Sequence, residues 1–136
     1  MLSSSIYRTK DDRMRTVLKI DYDSKPSVEE LKAQINFRLD YVLYYFNINS
    51  CEVEIKETNK GYHIRITVPK EIDDKSIVIL QAVLGSDWLR ELRNLSRILA
   101  GDKSWNILFT YKIKKDIEME EELIEKYIYI RRKHGS

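Results

Sequence analysis

Between Cys51 and Val68 the chain has little choice but to double back as a β-hairpin. Cys51, Val53 and Ile55 alternate with Glu52, Glu54 and Lys56, and Tyr62, Ile64, Ile66 and Val68 alternate with His63, Arg65 and Thr67. Between the two runs stands Thr58-Asn59-Lys60-Gly61, whose Asn and Gly tolerate positive φ. A period of two on both sides of such a turn belongs to half-buried strands, one face apolar and the other charged. Pro69 closes the second strand. The same period occurs earlier, from Thr16 to Tyr22, where Leu18, Ile20 and Tyr22 alternate with Val17, Lys19 and Asp21.

Helical spacing fills the gaps between these strands. Ser27 and Glu30 form a capping box, and Val28, Leu31, Ile35, Leu39, Val42 and Phe46 make an apolar stripe that leaves Glu29, Lys32, Asn36 and Asp40 for solvent. After the hairpin, Asp73-Asp74 caps the apolar run Ile77 to Leu84. Gly85 interrupts it, Ser86-Asp87 restarts it, and Trp88, Leu92, Leu95 and Leu99 continue at helical spacing to Gly101. Two short helices or one kinked helix are expected. Trp105 to Ile113 alternates again and predicts a fourth strand. Beyond it Leu123, Ile124, Tyr127 and Ile128 favour a terminal helix, while Tyr127-Ile128-Tyr129-Ile130 equally suits an edge strand. Residues 1–15 are polar and read as a flexible N-terminal arm with a short extended piece at Ile6-Tyr7.

The resulting order, β-α-β-β-α-β, is that of an α+β, ferredoxin-like (RRM-like) fold: an antiparallel four-stranded sheet with its helices on one face. The domain is expected over residues 16–113, with a C-terminal extension, helix or edge strand, over 114–136. At 136 residues one such domain accounts for the chain.

Composition excludes several classes of function. The formal charge of +2, from 24 basic and 22 acidic residues, gives no general affinity for nucleic acid, so any such binding has to come from local clustering. One cysteine, Cys51, leaves no internal disulfide, and His63 and His134 alone cannot build a multi-histidine metal site. No run is apolar enough to span a membrane and the first residues do not resemble a signal peptide, which reads as an intracellular protein. A Gly-x-Ser-x-Gly elbow and Gly-rich phosphate loops are both missing from the sequence.

Strand parity carries the functional reading further. If Leu18, Ile20, Tyr22, Ile64 and Ile66 face the helices, then Lys19, Asp21, Asp23, His63 and Arg65 share the opposite face, with Glu52 and Glu54 on the neighbouring strand. In the expected topology the first and third strands are adjacent and antiparallel, so Asp21, Asp23 and His63 come to one end of the sheet. The tyrosines of these strands face inward, which disfavours base stacking on the sheet. Acids with one histidine suit a divalent cation and phosphate better. Arg90, Arg93 and Arg97 line one side of the later helix and could hold phosphates. Each feature also has a plainer reading: acids capping a turn, a solvated histidine, an ion-paired helix face.

A strand ending in Asp-x-Asp, then a helix, a hairpin and Lys60-Gly61-Tyr62-His63-Ile64, resembles the palm of archaeo-eukaryotic-type primases. The resemblance implies that Asp21 and Asp23 hold Mg²⁺ or Mn²⁺ and that His63 contacts a nucleotide. Leu84-Gly85-Ser86-Asp87, Arg90 and Arg97, together with Gly-Tyr-His-x-Arg at 61–65, are also similar to small proteins of crenarchaeal viruses and plasmids. Primases carry a third acid on a strand beside the metal pair, and Trp105 to Ile113 holds none, so polymerase activity is not expected. The sequence thus leads to two expectations. One is a viral or plasmid-borne primase-palm-like domain that binds nucleotide or nucleic acid through Lys19, His63, Arg65, Arg90 and Arg97. The other is a ferredoxin-like interaction module that forms a homodimer.

Overall fold

The computed structural model describes residues 6–8, 14–106 and 122–133. In chain order the elements are β1 (Ile6–Arg8), β2 (Met14–Tyr22), α1 (Val28–Tyr45), β3 (Ser50–Glu57), β4 (Tyr62–Val68), α2 (Asp74–Val83), α3 (Trp88–Leu99) and β5 (Glu122–Ile130). The strands form one sheet in the order β1-β2-β4-β3-β5, with every pairing antiparallel. The architecture is α+β and of the ferredoxin-like type: β2 and β4 are central neighbours, β3 pairs with β4 as a hairpin, and α1 and α2 pack on one face.

The period-two residues make the core. Leu18, Ile20, Val53, Ile55, Ile64, Ile66 and Val68 are fully buried from the sheet side, and Leu31, Ile35, Leu39, Leu43, Ile77 and Leu84 meet them from the helices. Helix α1 starts as its capping box directs. Ser27 Oγ accepts from the Glu30 amide at 3.2 Å, although the Glu30 carboxylate takes the Ser27 hydroxyl at 3.1 Å rather than reaching the backbone. Gly85, at φ 104°, turns the chain between α2 and α3. Gly61 is required for a different reason from the one its turn suggests. It has no positive φ, but a Cβ there would lie 1.9 Å from the Tyr22 carbonyl oxygen.

The ends of the chain depart from the sequence reading. Strand β2 begins at Met14 and is joined by β1, so part of the expected arm belongs to the sheet. Trp105 and Asn106 are buried but lie in no strand; the remainder of the expected fourth strand, 107–113, falls outside the described residues. Of the two readings of the C-terminal segment, the edge strand is the one the structure shows over Glu122–Ile130, as β5. Its docking explains a further difference. Lys32, Asn36 and Asp40 on α1, expected to face water, face β5: Lys32 pairs with Glu125 at 3.3 Å, Tyr127 donates to Asn36 Oδ1 at 2.7 Å, and Tyr129 donates to Asp40 Oδ1 at 2.7 Å. Asp40 also accepts from the Arg132 amide at 2.8 Å and is fully buried.

Candidate functional site

Strand register decides which charged residues meet on the face away from the helices. Lys19 lies opposite Arg65, Arg65 opposite Glu54, and Glu54 opposite Lys126, so one row of charges crosses four strands. A second row runs from Asp21 to His63 to Lys56, as strand parity predicts. Around the first row lies a shallow depression of about 350 Å³, lined by Val17, Lys19, Glu52, Val53, Glu54, Arg65, Thr67 and Lys126. Lys126 escaped the sequence reading because the choice between helix and edge strand for its segment stayed open.

Charge is unevenly matched along these rows. Glu54 pairs with Lys56 at 3.8 Å and Glu52 with Arg15 at 4.0 Å, and both glutamates also line the depression. Among the described residues no carboxylate pairs with Lys19 or Arg65. Lys19 is half-buried, and its ammonium is held below the ordinary range by burial, then by the charges of Arg65 and Arg90. The depression thus contains two cations, Lys19 and Arg65, with which no carboxylate among the described residues pairs.

At the other end His63 Nε2 stands 3.6 Å from Asp21 Oδ1, with His63 buried. Burial raises the Asp21 carboxyl above its ordinary value, only partly offset by His63 and Arg90. Asp23 lies past the end of β2 and is exposed. Among the described residues no three His, Cys, Asp or Glu side chains form a group able to hold a metal ion. Asp21 thus stands beside His63 on the sheet, and Asp23 lies beyond the strand end, near enough for its charge to act on Asp21.

Arg90 is not part of an exposed stripe. It is 3% exposed and its guanidinium lies at the free edge of β2, in a polar network that sequence spacing did not reveal. Beyond the short β1 pairing, the described residues that close the edge of β2 at Lys19 and Asp21 do so with side chains and a loop amide. Gln81 Oε1 accepts from the Lys19 amide at 2.8 Å, and Arg90 Nη1 donates to the Lys19 carbonyl at 3.0 Å. Ser86 Oγ accepts from the Asp21 amide at 3.0 Å, and the Asp87 amide donates to the Asp21 carbonyl at 2.7 Å. Behind them Glu91 accepts from Gln81, Ser86, Asn94 and Arg90, and Asn106 Oδ1 accepts from Gln81 at 2.8 Å and Arg90 at 3.0 Å. Buried polar groups need such partners, and here the partners also fix the backbone of Lys19 and Asp21.

Helix α3 turns this polar side inward, and Trp88, Leu92 and Leu99, which continue the helical spacing, are exposed. Arg97 is half-buried on α3 and Arg93 exposed; neither joins the sheet-face row. Comparison with protein-family models, curated proteins and solved structures finds no match.

Proposed function

We propose that the face of the sheet turned away from α1 and α2 binds a phosphate-bearing ligand, a nucleotide or a nucleic-acid backbone, with Lys19 and Arg65 as the contacting cations and Lys126 at the end of their row. One observation carries the reading: two directly opposed cations line a depression while the nearby carboxylates pair elsewhere. An incoming phosphate would supply a counter-charge to both cations, and the arginine could donate two parallel hydrogen bonds to it. The reading keeps the face that the primase-palm resemblance implies but moves its weight from Asp21 and Asp23 to Lys19 and Arg65. His63 borders the site through its place in the adjoining row.

Affinity for labelled single- and double-stranded DNA and for a nucleoside triphosphate, measured against salt, tests the proposal. Lys19→Ala and Arg65→Ala are each expected to weaken binding about tenfold and to flatten the salt dependence by about one counterion. Asp23→Ala should leave affinity intact or improve it. Equal affinity in the wild type and the Lys19→Ala/Arg65→Ala double variant would rule the site out.

A further inference from the structure

Helix α1 carries its largest exposed side chains in one line. Phe37 is 60% exposed, Tyr41 44%, Tyr44 41% and Tyr45 77%, and the spacing of 37, 41, 44 and 45 places them on the side of the helix turned away from the sheet. Phe37 and Tyr41 already pack edge to face, with ring centroids 5.5 Å apart. The flanks of the helix are occupied. Lys32, Asn36 and Asp40 bond to β5 and the following residues, and Arg38 Nη1 donates to the Val83 carbonyl at 3.2 Å at the end of α2. The aromatic line between them is an apolar ridge whose burial would be favourable.

Two further features select its occupant. Along the same line, toward the start of the helix, stand exposed Ala33, Glu30 and Glu29, the last two in its first turn. At the other end the nearby charges are positive: Lys70 Nζ donates to the Phe46 carbonyl at 2.7 Å, and the Arg131 guanidinium lies 5.6 Å from the Tyr44 ring. The ridge is therefore acidic at one end, cationic at the other, and carries a small residue one turn before its central aromatic. Reversed upon itself it is complementary.

We infer that a second copy of this chain docks on the ridge, the two α1 helices lying antiparallel about a two-fold axis at Phe37. In that register Phe37 meets its counterpart, and Ala33 lies opposite Tyr41 and leaves room for its ring. Glu29 and Glu30 lie opposite Tyr45 and Tyr44, within reach of Arg131 of the other copy. A helix of 18 residues, about 27 Å long, offers the whole contact on one element. An isologous interface requires one patch to complement itself, which this pattern does.

Sedimentation velocity of the full chain over a wide concentration range tests the inference, with thermal melts to confirm that each variant folds. The wild type is expected to show a monomer–dimer equilibrium. Phe37→Glu and Ala33→Arg, both at exposed positions, should each weaken it by about thirtyfold or more. Glu29→Lys and Arg131→Glu should each dimerise poorly alone and better when mixed. A wild type that stays monomeric throughout would overturn the inference, as would a dimer whose dissociation constant is unchanged in Phe37→Glu and Ala33→Arg.

Discussion

Gly61 and Lys19 show how much a single residue can be asked to do. The sequence marks Gly61 as a turn residue, and it is one, its amide donating to Thr58 Oγ1 at 3.1 Å. The close approach of the Tyr22 carbonyl, which actually forbids a side chain, depends on a strand far away in sequence and could not be read from the turn. Gly61→Ala is therefore expected to destabilise the fold by about 3 kcal/mol, read by urea unfolding, the upper end for overpacking because backbone must move. For Lys19, the folded chain binds fewer protons than the unfolded chain between its lowered pKa and the ordinary 10.5. The cost of keeping it charged is thus carried in full below the lowered value and relieved as pH rises through it. A phosphate bound beside it would raise that pKa again. Binding should then take up protons, and affinity should fall as pH climbs through the lowered value. Titration calorimetry in buffers of differing ionisation enthalpy checks this, and Lys19→Ala should abolish the proton uptake.

At the scale of elements, the strands were legible and the edges were not. Alternation identified β2, β3 and β4, because one face of each is buried and the other is not. The place of Lys19, Asp21, His63 and Arg65 on a shared face followed from parity alone. Helix α3 differs from its reading for a physical reason: Arg90, placed by spacing with Arg93 and Arg97 on one side of the helix, turns inward with Glu91 and Asn94 to close the edge of β2. Four consecutive β-compatible residues could not distinguish β5 from a helix, and with that choice open, the burial of Asp40 and the presence of Lys126 in the site were invisible. The network makes a test of its own. Glu91→Gln keeps the shape but strands the Arg90 charge at 3% exposure, and should cost about 3–5 kcal/mol in chemical denaturation. Replacing Arg90 and Glu91 together with apolar residues should cost less than the two single changes summed.

Taken whole, the molecule separates its two surfaces. The aromatic ridge of α1 and the cation row of the sheet lie on opposite sides of the same core, so a dimer joined through the ridge would present the two faces proposed to bind phosphate outward and away from each other. Such a pair could hold two ligands at once, or gain avidity on a ligand long enough to reach both. The sole cysteine adds one more property. Cys51 sits on β3 opposite Tyr129 of the edge strand, 4% exposed, with its thiol pushed up to about 12 by burial. In the closed fold it is both shielded and protonated, and so inert to thiol reagents at neutral pH. The chain thus carries an internal clock: the speed at which an added disulfide reagent consumes that sulfur reports how often the sheet opens around β3.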